Sequence, residues 1–241
     1  MSDHGASGVD TAGRTAADDP YDPDRDGPFS AWLRERSDWE AATRHRFVEE
    51  YVDGDLADDV FERYLVQDYQ FLEAGARLTA HAASQAHTMA EMNRLAESLT
   101  VLTGGENDYF QRAFDELDVS EAEREAPEIH PTTAAFNDFM LRAATDGAYE
   151  ESLAVTAAAE WVYRDWCGYV ATAETDLDRW YIDEWIEIHD NEEFDAYTGW
   201  LIDQLDTYGP RLSPGRQIRV AEIFDRTVDL EAAFFDAAYE D

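Results

Sequence analysis

Apolar residues in this chain recur at helical spacing along most of its length. Trp32, Trp39, Phe47 and Tyr51 mark a first segment, and Val60, Phe61, Tyr64, Leu65, Phe71 and Leu72 a second. No stretch sustains the two-residue alternation of a half-buried strand. Turn-forming clusters punctuate the pattern at Asp53-Gly54-Asp55, Gly104-Gly105, Pro127 to Pro131, Asp146-Gly147, Asp190-Asn191 and Tyr208-Gly209-Pro210. Together they predict about seven or eight helices of roughly 12–28 residues with short connections, an all-α, compact multi-helix bundle. Residues 1–27 are rich in Asp, Gly and Pro with almost nothing to bury, and are expected to form a disordered tail before a helical domain over 28–241.

Three positions break the apolar stripes with an acid. On the second segment the face carrying 64, 71 and 72 passes through Asp68. On the helix that ends near Val170, the stripe through Leu153, Thr156, Tyr163 and Trp166 passes through Ala159 and Glu160. On the last helix, Val220, Ile223, Phe224, Val228, Phe234 and Phe235 share their face with Glu231. An ionised carboxylate there costs several kcal/mol unless it is paired, hydrogen-bonded, protonated or facing a polar cavity. A shared ligand pocket explains all three at once. Separate structural pairs, for instance with Arg63, Arg164 or Arg226, are the other reading. Phe71, Phe136, Tyr163 and Phe234 fit a slot for a flat ring and equally fit ordinary core.

Composition narrows the options. Fifty-five acidic residues face 18 basic ones, all arginine, for a net charge of −37 over 241 residues. The acids are dispersed along amphipathic helices, which points to a solvated face adapted to a salt-rich host: at about 1 M salt the Debye length is about 3 Å and self-repulsion is screened. With no basic patch to neutralise phosphates, nucleic acid is not an expected partner. The lone Cys167 excludes an internal disulfide framework, and neither a membrane span nor a signal segment is visible, so the expected location is the cytoplasm. A di-iron bundle needs Glu-x-x-His pairs, and the sequence contains none. His45 as a haem ligand and Cys167 as a nucleophile are weaker alternatives to plain structural roles.

Several stretches carry a resemblance. They are Trp39-Glu-Ala-Ala-Thr-Arg-His45-Arg-Phe47 with Gly54, Tyr64-Leu-Val-Gln67-Asp68-Tyr69-Gln-Phe71-Leu72, Glu160-Trp161-Val-Tyr163, Trp185-Ile-Glu-Ile-His189 with Phe194, and Glu231-Ala-Ala-Phe234-Phe235. From about residue 29 onward the chain resembles the TenA/thiaminase II family. The resemblance implies a haem-oxygenase-like fold, hydrolysis of thiamin-derived aminopyrimidines for salvage, no cofactor, no metal, and a homotetramer or homodimer. It implies that Asp68 hydrogen-bonds the pyrimidine, that Glu231 meets its ring nitrogen and exocyclic amine, that Tyr163 orients the reacting groups, and that Phe234 packs on the ring.

The chain departs from the family's thiol-dependent branch where a nucleophilic cysteine is expected, because that position is Ala159. Glu160 beside it is similar to a second branch, in which a glutamate takes over and amino- or formylamino-pyrimidines are the substrates. Phe71, Phe136 and His189 stand where the thiol branch has tyrosines. A non-catalytic binder of a thiamin-related heterocycle and a redox or regulatory protein on the same fold are the alternative functions.

Overall fold

The computed structural model describes residues 19–173 and 179–240. Among them are thirteen α-helices and no strand: α1 (Phe29–Arg34), α2 (Trp39–Thr43), α3 (Arg46–Asp53), α4 (Asp58–Asp68), α5 (Phe71–Gln85), α6 (Met89–Leu102), α7 (Gly105–Glu116), α8 (Glu121–Glu125), α9 (Pro131–Asp146), α10 (Tyr149–Ala171), α11 (Trp180–His189), α12 (Glu192–Tyr208) and α13 (Pro214–Ala237). No described helix is long and apolar enough to cross a membrane.

The all-α bundle is as expected, but the helices are more numerous and shorter than the periodicity predicts. Polar side chains cut the first segment into three where no Gly or Pro stands. Ser37 Oγ donates to the Arg34 carbonyl at 2.9 Å, closing α1. His45 Nδ1 accepts the Phe47 N–H at 3.1 Å and so caps α3, while its Nε2 meets Asp236 at 3.1 Å. His45 is thereby a capping residue and not a haem ligand. Gly54 ends α3 with φ +75°, a left-handed conformation that glycine adopts without penalty.

Of the expected tail, residues 1–18 lie outside the described residues. Within its last stretch Tyr21 packs edge-on to Phe29 and Trp32, with ring centroids 5.3 and 5.8 Å away. Phe29 in turn lies so close to Gly209 that a Cβ there would come within 2.2 Å of the ring. The beginning and the late part of the fold are locked together at that point.

At the centre, α10 is buried around most of its circumference, from Tyr149 to Val170. Its small residues Ala154, Ala157 and Ala158 let neighbouring helices approach, and it packs against α5, α9, α11, α12 and α13. α13 buries Val220, Phe224, Val228, Phe234 and Phe235 against it. Cys167 is fully buried and burial pushes its thiol well up, which makes it a packing residue.

Candidate active site

The second apolar segment is broken at Tyr69-Gln70, and that break builds the site. Gln70 N–H reaches back only three residues, to the Gln67 carbonyl at 3.1 Å, so the turn tightens there. Side-chain amides satisfy carbonyls at the break: Gln70 Nε2 donates to Val66 at 3.2 Å, and Asn137 Nδ2 from α9 donates to Gln70 at 3.3 Å. Asp68 is consequently the last residue of α4, and Phe71 the first of α5. Both line one cavity.

That cavity encloses about 130 Å³. α4 and α5 supply Asp68 and Phe71, α9 supplies Phe136, α10 supplies Ala159, Glu160 and Tyr163, α11 supplies Trp185 and His189, and α13 supplies Glu231. The site residues expected from sequence therefore converge, with Phe234 held just behind, its ring 4.8 Å from Phe71 and 5.3 Å from Tyr64. Phe71 also meets Phe136 edge-to-face at 5.1 Å. An apolar cavity near 150 Å³ accommodates a benzene-sized molecule, so this one is the size of a single six-membered ring.

Its polar groups are held in place from behind. Tyr163 OH donates to Asp68 Oδ1 at 3.3 Å, and the Tyr64 hydroxyl lies 2.7 Å from that of Tyr163. Because Tyr163 spends its only proton on Asp68, Tyr64 is the donor to Tyr163. Burial first, then the charge of Asp68, pushes both phenols well above their usual range, so both keep their protons. Tyr64, a fully buried member of this relay, reads from sequence as core alone.

Glu231 is 3% exposed and Asp68 8% exposed. Burial, then the like charges of Asp68 and Glu160, raises the Glu231 carboxyl well above the ordinary carboxylate range. The fold thus biases this carboxyl toward its protonated form. The arginine partners considered for these acids are engaged elsewhere: Arg63 with Asp59 and the Ala238 carbonyl, Arg164 with Asp165 and Asp195, Arg226 with Asp229.

His189 sits among Tyr163, Trp185 and Phe194, with ring centroids 5.0, 4.4 and 5.1 Å away. Its Nδ1 meets the Trp185 carbonyl at 2.9 Å. A carbonyl only accepts, so Nδ1 carries the proton and Nε2 keeps its lone pair. Burial lowers the ring's value from 6.5 to about 4, only partly opposed by that hydrogen bond, and the imidazole is neutral at pH 7. Among the described residues, no group of three or more His, Cys, Asp or Glu is arranged to hold a metal ion.

An all-α bundle enclosing a ring-sized slot lined by acids and aromatics defines a class by its architecture, the haem-oxygenase-like fold. The description of the TENA/THI-4/PQQC family matches residues 32–241, and the chain belongs to that family. It is 30% identical over 215 residues to an aminopyrimidine aminohydrolase of Halalkalibacterium halodurans, covering 88% of this chain and 96% of that protein. An aminopyrimidine aminohydrolase of Helicobacter pylori is 26% identical over 207 residues, with 85% and 94% covered. In three dimensions, a TenA homologue from P. horikoshii OT3 superposes with a TM-score of 0.79 at 24% identity, covering 88% of this chain and 99% of that one.

Proposed function

We propose that this protein is an aminopyrimidine aminohydrolase of thiamin salvage, working without a thiol. One observation carries the reading: Asp68, Glu160, Glu231 and Tyr163 converge on a slot the size of one aromatic ring, whose burial and like charges bias Glu231 toward its protonated form. The names of its relatives from two organisms point the same way.

In this reading the pyrimidine lies between Phe71, Phe136 and Phe234. In its protonated form the Glu231 carboxyl donates to a ring nitrogen and accepts from the exocyclic amine, a two-point match to a neutral ring. Asp68, oriented by Tyr163, accepts a further hydrogen bond from the substrate. Glu160 takes a proton from water as the water oxygen bonds to the methylene carbon. The C–N electron pair leaves with nitrogen, which gains the proton that Glu160 took from water, so an aminomethyl group and water yield a hydroxymethyl group and ammonia. Acid–base assistance of this kind is worth about 10²–10⁴-fold. Ala159 leaves no thiol to form a covalent intermediate, and Glu160 beside it supports direct hydrolysis of the glutamate type.

The decisive assay incubates purified protein with aminomethyl- and formylaminomethyl-pyrimidine in concentrated KCl and follows ammonia, formate and the hydroxymethyl product. The wild type is expected to turn over, and Glu160→Gln and Glu231→Gln each to lose about 100-fold or more with melting curves intact. Full activity in either variant removes that residue from the mechanism. Binding without product from the wild type overturns the enzymatic reading.

The net charge of −37, with arginine as the sole basic residue, supports a salt-rich cytoplasm such as that of a halophilic archaeon. The family resemblance supports a homodimer or homotetramer, which light scattering at high salt measures. The acidic surface gives nucleic acid no footing.

A further inference from the structure

The ring-sized cavity does not stand alone. Leu102, Glu160 and His189 line it and also line a second, larger space of about 340 Å³ on its outer side. One wall of this outer chamber is α6, through Glu97, Ser98 and Val101. The other is the corner between α11 and α12, through Glu193, Phe194 and Tyr197. Glu160 is part of the lining of both spaces and so borders each of them.

The two spaces differ in chemistry. The inner one is sized for a single ring and leaves little room for anything attached to it. The outer one is apolar along Val101, Leu102, Ile188 and Phe194, and acidic at Glu97, Glu160 and Glu193. Among the described residues its one cation is Arg94, which lies 3.4 Å from Glu97 and 5.4 Å from the Tyr197 ring centroid. An anion entering this chamber meets three carboxylates and an arginine already engaged; an ammonium meets the reverse.

We propose that the outer chamber is a leaving-group subsite, which receives the nitrogen substituent of an N-substituted aminomethylpyrimidine and prefers neutral or cationic substituents to carboxylate- or phosphate-bearing ones. The inference rests on the inner cavity being the pyrimidine site. Bond changes match those of the parent reaction: the water oxygen bonds to the methylene carbon, the C–N pair stays with nitrogen, and nitrogen gains a proton. The products are the hydroxymethylpyrimidine and a free primary amine in the chamber. Glu160, which borders both spaces, stands beside the bond to be broken.

The test uses the full-length protein and three substrates sharing one ring: the parent primary amine, its N-(3-aminopropyl) derivative and its N-(2-carboxyethyl) derivative. kcat/KM is measured by chromatography of the hydroxymethyl product, at the lowest KCl that keeps the melting curve intact. The aminopropyl compound is expected within about tenfold of the parent, and the carboxyethyl compound at least about tenfold below the aminopropyl one. In the double variant E97K/E193K, which alters two exposed side chains, the ratio of cationic to anionic substrate falls at least about tenfold. Turnover of the parent with both extended compounds inert overturns the subsite, as does a ratio untouched by the charge reversal. If the parent itself is inert, the aminohydrolase reading has failed, and the subsite is judged separately. Calorimetric Kd values of the two extended compounds, in wild type and variant, then show the same inversion or refute it.

Discussion

Replacing His189 by phenylalanine is expected to remove a specific part of the protein's acid sensitivity. In the unfolded chain the imidazole takes up a proton around pH 6.5, whereas in the fold it resists until about pH 4. Acid therefore favours the unfolded state throughout that window: the contribution to stability is fully present above pH 6.5, declines as pH falls, and is gone below about pH 4. Each pH unit between those limits is worth about 1.4 kcal/mol, so the whole difference is about 3 kcal/mol, and about 2 kcal/mol is already lost at pH 5. For a domain of this size 1 kcal/mol moves Tm by about 2–4 °C, which puts the effect at pH 5 near 4–8 °C. Circular-dichroism melts of wild type and His189→Phe at pH 7.5 and pH 5, in the same KCl, measure it. Each protein serves as its own reference, so a uniform stability change in the variant cancels. The wild type should lose more Tm on acidification by that margin. Equal losses in both proteins refute the assignment of a buried neutral imidazole with its proton on Nδ1.

Two further outcomes follow from charges outside the site. Arg216 bridges Glu150 at 2.8 Å and Glu151 at 2.5 Å, both nearly fully buried, while the arginine itself is 39% exposed. Removing one partner of a buried pair costs about 3–5 kcal/mol; with water partly able to replace the guanidinium, Arg216→Met is expected to lose about 2–3 kcal/mol in a denaturant titration at pH 7. Burial raises the Glu151 carboxyl, but hydrogen bonds from Arg216 and the Ala148 N–H outweigh it and leave it below its usual value. The stabilisation is present above about pH 4.5 and fades below it, so the gap between variant and wild type should narrow on acidification. Raising KCl from about 0.1 to about 1 M shortens the Debye length from about 10 to about 3 Å and is expected to raise the wild-type Tm on the order of 10 °C. A falling Tm would show that surface repulsion is not what salt relieves.

Sequence pattern exposed the site's acids because they violate a rule. Asp68 and Glu231 occupy positions on apolar faces, and a carboxylate there demands a reason that a cavity supplies. The break after Asp68 left no such mark, since neither Gly nor Pro stands at Tyr69-Gln70 and one of the two side-chain amides that stabilise it comes from Asn137, 67 residues away. For the same reason Tyr64 is indistinguishable from core in the periodicity, its hydroxyl partner lying 99 residues on. The outer chamber was illegible altogether. It is made by the approach of α6 to the α11–α12 corner, and no single helix carries a pattern that reports an approach. The cluster of Arg216 with Glu150 and Glu151 was hidden likewise, because in sequence these residues look like the solvated acids that surround them.

The raised carboxyl of Glu231 also bears on how the molecule assembles. Free of the bundle, α13 presents that side chain to water, which favours the charged form; docked against α10, burial and the nearby acids favour the neutral one. Seating the last helix therefore favours proton uptake by this side chain, and it joins residues 68, 160 and 231 across long stretches of intervening chain. Protonation of Glu231 and closure of the pocket are thus linked, and raising the pH above the ordinary carboxylate range weakens the seating of the last helix.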